Sequence, residues 1–388
     1  MLLFTAVFMS LVVSSVTLCN NIAKPVKLTG KYNNNRHEAM AKQYLFFVTL
    51  PYSYSILRPL QQEIWRRGDK VAWYIVPDCA DMLLPGEERL DTIQAVKRAN
   101  PIAVFAPGNM IYDFFPGVKV AVFHGYPIRK RGEQNDQEDD HFSIRGWFDI
   151  ICTQGESSTQ GFLAKQKQHG FFKVYQTGWC KTDGLVTTAA PSNKQRKTVL
   201  YSTTFTRGIS AAPVLYDTIA RLVQEQNWDW ILTFHPKFND QSVLAKYLAL
   251  AEKCENVRFE KQISNESMQE ADVMLCDSSS IILEFMLLDK PVVTYRNTSP
   301  GEHLLNVTQI EDVEPALVKA MTRPTELMQK ITEFTEWHEA HKDGKNAARV
   351  LDAVDDFIAH HQGRLLSKPV NVIRKLKLRM QSGYYCWR

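Results

Sequence analysis

The chain has 388 residues, of which 45% are hydrophobic and 23% charged, the composition of a globular protein with room for two domains. Its net charge of +4 is too mild to argue for nucleic-acid binding through global electrostatics, so any anion specificity has to be local. The seven cysteines, at positions 19, 79, 152, 180, 254, 276 and 386, are scattered and contain no C-x-x-C pair, which speaks against a zinc or dithiol motif and fits a reducing compartment.

Met1–Leu18 is apolar and uncharged, and the first cation, Lys24, follows it rather than preceding it. A signal peptide carries its cations first, so residues 1–20 are expected to form an uncleaved N-terminal anchor with the rest of the chain on the cytoplasmic side. From Tyr44 onward, apolar runs alternate with amphipathic stretches, the pattern of an open parallel α/β sheet. Strands are expected at 44–50, 71–76, 102–107, 118–124 and 148–154, with a helix between the first two carrying Ile56, Leu60 and Ile64 and stopped by Gly68.

The run V-A-V-F-H at 120–124 ends a buried strand on His124; Gly125 and Pro127 then turn the chain, and Arg129 and Lys130 supply local cations. Further on, Gly178 allows a close backbone approach and Lys181 offers a cation. The polar, proline-containing stretch 187–197 reads as an interdomain linker.

Beyond it the pattern restarts. Strands are expected at 198–203, 230–236, 257–261, 272–277 and 291–296, and helices near 212–226, 241–253, 279–288 and 311–321. Thr203 ends the first of these strands, Thr204, Thr206 and Arg207 follow it, and His235, before Pro236, stands at the end of the second. Asp277, Ser278, Ser279 and Ser280 lie between a strand and a helix, where unsatisfied N–H groups and hydroxyls suit a phosphate. Neither His124 nor His235 has HExxH spacing, and His141, His169 and His303 form no ligand pattern; no resident cofactor is expected and no divalent-cation site is evident.

The expected fold class is therefore α/β, two similar domains facing each other across a cleft: an N-terminal domain at 38–186 and a C-terminal domain at 198–345. Residues 346–388 are expected to form a helix followed by a basic, aromatic-ended tail facing a membrane.

Taken in order, H-G-Y-P-I-R-K (124–130), G-W-C-K-T-D (178–183), Y-S-T-T-F (201–205), F-H-P-K (234–237) and D-S-S-S-I-I-L-E-F-M-L-L-D-K-P-V (277–292) resemble the CDP-glycerol glycerophosphotransferase family. The resemblance covers roughly residues 100–300. It implies a glycosyltransferase-B-like pair of Rossmann-like domains and transfer of glycerol phosphate, or a related polyol phosphate, from a CDP-activated donor to a hydroxyl of a cell-envelope glycan or lipid-linked saccharide, with release of CMP.

Carried over by position, His124 and His235 are the catalytic histidines. Gly125, Lys181, Asp183, Thr204, Arg207, Asp277, Ser278, Ser279, Ser280 and Glu284 are expected at the donor, and Arg129 and Lys130 steer an anionic acceptor. A neutral histidine suits proton removal near pH 7, and His124 is assigned that task. With the N-terminal segment and the basic tail, the cytoplasmic face of the inner membrane is expected as the working surface, reached peripherally or through the anchor.

Tyr126, Cys180 and Phe205 depart from the family pattern. The segment 296–306 is instead similar to the UDP-N-acetylglucosamine 2-epimerases. A nucleotide-sugar enzyme of the same fold, a UDP-sugar glycosyltransferase or an epimerase, is the competing reading, followed by a non-catalytic membrane-associated binding protein.

Overall fold

Continuous apolar runs that are buried on both faces make parallel strands, and this chain makes two such sheets. The computed structural model describes residues 41–126, 142–186 and 195–385. The expected anchor at 1–20 and the cations Arg129 and Lys130 lie outside the described residues.

The first sheet contains β1 (Gln43–Val48), β2 (Lys70–Ile75), β3 (Glu88–Arg89), β4 (Ala103–Ala106), β5 (Val118–Ala121), β6 (Ile150–Thr153) and β7 (Lys173–Gln176). Its order is β3-β2-β1-β4-β5-β6-β7, with every pairing parallel. Connecting elements are α1 (Tyr52–Arg66), α2 (Ile93–Ala99), α3 (Glu156–His169) and the single turn α4 (Asp183–Val186). Ile56, Leu60 and Ile64 face inward on α1 as expected, and Gly68, at φ +79°, closes its end.

The second sheet contains β8 (Lys197–Thr203), β9 (Trp228–Phe234), β10 (Val257–Glu260), β11 (Val273–Cys276), β12 (Val292–Tyr295) and β13 (Leu305–Val307). Its order is β10-β9-β8-β11-β12-β13, again parallel throughout. Around it lie α5 (Ala212–Glu225), α6 (Gln241–Lys253), α7 (Asn265–Glu270), α8 (Ile281–Met286), α9 (Val313–Met321) and α10 (Thr325–His338). The last two helices are α11 (Asn346–His360) and α12 (Val372–Ser382).

Alternation along β1 sends Tyr44, Phe46 and Val48 to one side, with Trp73, Phe105 and α1, and sends Leu45 and Phe47 to the other, with Tyr74, Tyr112 and Phe115. Burying each such apolar side chain contributes about 1.5–3 kcal/mol. The tail does not hang free. Ala347, Val350, Leu351, Val354 and Phe357 of α11 complete the first core, and Leu378 of α12 with Tyr384 covers the opposite face.

In both sheets the strand order reverses direction beside the first strand of the domain: between β1 and β4, and between β8 and β11. Crevices beyond the carboxyl ends of strands at such points are where open α/β sheets bind ligands.

Candidate functional site

His124 stands past the end of β5, next to the first switch point. Phe123, just before it, has φ 54°, a left-handed conformation that bulky side chains seldom adopt. The ring is exposed and stacks on Tyr52 from the start of α1, centroids 5.3 Å apart. Its Nδ1 lies 3.3 Å from the carbonyl oxygen of Pro107, the residue after β4. A carbonyl only accepts, so this contact requires Nδ1–H and leaves the basic lone pair of the neutral ring on Nε2.

His235 shows the opposite polarity. The Lys237 backbone N–H donates to its Nδ1 at 3.1 Å, which places the proton of the neutral ring on Nε2. Phe205 packs against this ring at 4.4 Å. One histidine thus offers an acceptor at Nε2 and the other a donor.

At the second switch point Asp277 is fully buried. Its carboxylate accepts from Thr203 Oγ1 at 2.6 Å, Thr204 N at 3.0 Å, Ala211 N at 3.0 Å and Ser278 N at 2.7 Å. Burial nevertheless raises its pKa above the ordinary carboxylate value. Although expected at the donor, its carboxylate is engaged in binding the end of β8 to the end of β11. Thr204, likewise expected at the donor, is held by its N–H in this knot. Ser280 occupies the N-cap position of α8 without a side-chain bond.

Ser278 Oγ accepts from Thr298 N at 2.9 Å, and Asn297 Nδ2 donates to the Asp277 carbonyl at 2.7 Å. Ser278, Ser279, Ser280, Asn297, Thr298 and Ser299 form the polar side of a small pocket of about 60 Å³, closed by Leu304, His303 and Phe334. His303 lies flat on Phe334 at 3.6 Å, and burial lowers its pKa to about 4, so it is neutral at pH 7. Arg207 is exposed and lines a separate open groove with Phe205 and Asp240.

Two further expected donor residues meet each other: Lys181 Nζ pairs with Glu284 at 2.7 Å, joining the segment after β7 to α8. Asp183, also expected at the donor, caps α11 instead. Its two oxygens accept from Asn346 N at 2.8 Å and Ala347 N at 2.7 Å, and burial raises its pKa to about 6.

The loop carrying His124 is fastened on three sides. Gln154 Nε2 donates to the Gly125 carbonyl at 2.9 Å, Trp179 Nε1 donates to the Phe123 carbonyl at 3.2 Å, and Tyr126 OH donates to Glu339 at 2.6 Å. Tyr126 also packs against the apolar cluster holding Ile282 and Leu283, so the histidine loop and the helix after the serines share a wall. Gly178 lets this happen. It has φ +74°, and a Cβ there would collide with Asn346 Oδ1 and Glu339 Oε1.

Tyr52, Gln154, His303, Phe334 and Glu339 were not anticipated. Tyr52 alone had a signal, since it follows the end of β1 at the switch point.

Glu339 is buried and also accepts from the Trp179 N–H at 3.1 Å; burial outweighs these bonds and pushes its pKa up to about 8. A carboxyl whose folded pKa exceeds its unfolded one stabilises fully below about pH 4.5, and that contribution disappears as the pH rises through 8. Glu339→Gln cannot titrate, so its melting temperature is expected to gain on the wild type by the equivalent of a few kcal/mol between pH 5 and 8.5. Parallel melting curves across that range would contradict the assignment.

Among the described residues no cluster of histidine, cysteine, aspartate and glutamate could hold a metal ion, and no helix is long and apolar enough to cross a membrane.

Two parallel-sheet Rossmann-like domains, each with its polar loops beyond the carboxyl ends of its strands, make a fold of the glycosyltransferase-B type. A family model described as CDP-Glycerol:Poly(glycerophosphate) glycerophosphotransferase matches residues 120–356, more than half of the chain, and the chain belongs to that family. No curated protein matches it.

Among solved structures it is similar to the wall teichoic acid polymerase TagF, in a variant soaked with CDPG, at 13% identity over 83% of this chain and 90% of that one, TM-score 0.57. It is similar to S. aureus MnaA in complex with UDP at 15% identity over 84% and 99%, TM-score 0.56. It also resembles the UDP-GlcNAc 2-epimerase from Neisseria meningitidis bound to UDP-GlcNAc, at 13% identity over 80% and 100%, TM-score 0.50. At these identities the likenesses establish the fold.

Proposed function

We propose that the protein transfers glycerol phosphate, or a related polyol phosphate, from a CDP-activated donor to a hydroxyl of a cell-envelope glycan or lipid-linked saccharide, releasing CMP at the cytoplasmic face of the inner membrane. The observation that carries this reading is the opposite polarity of the two strand-end histidines. His124 Nε2 takes the proton of the attacking hydroxyl as its oxygen bonds to the polyol-side phosphorus. The bond from that phosphorus to the bridging oxygen breaks, and its electron pair leaves with CMP. His235 Nε2–H donates to the phosphate oxygens that gain charge. Ser279 and Ser280 offer hydroxyls and backbone N–H groups to the diphosphate, and Ser278 its hydroxyl, in the manner of a phosphate cradle. Asp277 and Asp183 act as positioning residues, and Arg129 and Lys130 steer the acceptor.

The nucleotide-sugar reading has one specific support: Asn297, Thr298, Ser299 and His303, from the segment similar to the epimerases, line the pocket. Incubating the purified protein and a glycerol-phosphate-primed acceptor with CDP-glycerol, CDP-ribitol and UDP-N-acetylglucosamine separates the two. CMP release from a CDP-polyol with the UDP-sugar untouched is expected. Epimerised or transferred UDP-sugar, with no CMP from either CDP-polyol, would refute the proposal.

A further inference from the structure

We propose that α12 is a membrane-docking helix that lies in the surface of an anionic bilayer. Its inner side is fixed to the N-terminal domain by specific polar contacts. Arg379, 5% exposed, pairs with Asp113 at 2.9 Å and stacks over Phe114; Asn371 Nδ2 donates to the Arg145 carbonyl at 2.8 Å; Lys368 pairs with Asp149 at 2.7 Å; and Tyr384 stacks on Phe114. A helix held this way has a definite outer side.

That outer side is apolar. Ile373, Leu376 and Met380, at i, i+3 and i+7, form one stripe and are 84%, 45% and 62% exposed. Leu366 and Val370 before the helix, each 70% exposed, and Tyr385 after it are further exposed apolar side chains. Exposed apolar side chains in one contiguous row mark an interaction surface rather than ordinary surface scatter.

Charge selects the occupant. From Ser367 to Tyr385 there is no acidic residue, and Arg374, Lys375 and Lys377 accompany the stripe. Arg374 and Lys377 are exposed, while Lys375 faces Asp113. An apolar stripe with cations and no acid fits a surface that is apolar beneath and anionic at its rim, the boundary of a bilayer rich in acidic phospholipid. Eleven residues are too few to cross a bilayer, so the helix lies in the surface.

Docking here also orients the enzyme. The Arg145 carbonyl that anchors Asn371 belongs to a segment, Arg145–Phe148, lining a pocket whose other wall includes Gly108 and Asn109, directly after the Pro107 that holds His124. This inference rests on the membrane location proposed above. Its test needs no donor or acceptor, so it stands or falls separately from the transferase chemistry.

The full chain is mixed with vesicles of pure phosphatidylcholine, or of phosphatidylcholine containing phosphatidylglycerol, and sedimented. The triple variant Ile373→Ser, Leu376→Ser, Met380→Ser is expected to lose about tenfold or more in partitioning to the anionic vesicles, with its melting temperature unchanged. Arg374→Glu with Lys377→Glu is expected to weaken binding to anionic vesicles and leave the weak binding to neutral ones unchanged. As a direct readout from the helix, Met380→Trp should show more quenching by brominated acyl chains than the wild type. Wild-type partitioning by the triple variant together with no added quenching would overturn the proposal. So would a concentration-dependent dimer that the triple variant abolishes while vesicle binding is absent, since the stripe would then seat a second copy.

Discussion

His124→Ala is expected to lower CMP release from a CDP-polyol by about 10²–10⁴-fold, the usual contribution of a positioned general base. Its stability should stay within about 0.5 kcal/mol of the wild type, because the ring is exposed. The loss should fall on turnover more than on donor binding, since the proton moves only in the chemical step. The polarity argument sharpens this. If Nε2 of His124 is the base, the variant should also lose the acid limb of the pH–rate profile, because no group remains that must first shed a proton.

His235→Ala, which removes a donor rather than a base, is expected to cost about 10²–10³-fold while that limb persists. Both variants are compared by single-turnover CMP release. Near wild-type turnover in His124→Ala would remove it from the chemistry, and identical pH profiles in the two variants would remove the division of labour.

The second large effect concerns stability. Asp277→Ala strips the partner from three backbone N–H groups and the Thr203 hydroxyl in a buried site. Each unsatisfied group costs about 1–3 kcal/mol and water can relieve only part of it, so a loss of about 3–5 kcal/mol is expected, read as a lower urea midpoint. Asp277→Asn keeps an acceptor oxygen but turns an NH₂ toward the N–H cluster, and should fall between the two. Wild-type stability for the alanine variant would mean that the knot between β8 and β11 carries little of the fold.

Much of the fold was legible because buried parallel strands advertise themselves. Each of the ten expected strands overlaps an observed one, and α5 and α6 begin and end within a residue of where the apolar periodicity put them. The missed elements carry no such run. β7 and β13 are edge strands with half-buried, mixed residues, and α3 has no clear apolar face.

At the candidate site, the placement of the histidines and the serine loop at strand ends was readable because each follows an apolar run. The roles of Asp183 and Asp277 were not. A carboxylate near a helix start can accept N–H groups from its own chain or face a ligand, and the two look alike in sequence. The Tyr126–Glu339 bond spans residues 213 apart and has no local pattern at all. Nor does periodicity say which sheet a helix will cover, which is why α11 reads as a tail and packs as core.

That last placement has a mechanical consequence. β7 belongs to one sheet and β8 to the other, so the chain crosses between the domains once there; it crosses back between α10, whose Leu327 and Ile331 lie in the second core, and α11, which lies in the first. A body tied to another at two points keeps one easy rotation, about the line through both ties, and resists twist and shear. The return tie runs through Glu339 and Asn346, the residues that grip Tyr126 and Trp179. The return tie and the loop carrying His124 are therefore fastened to the same residues, and a rotation of one domain against the other about these ties would pivot beside His124 rather than drag it along.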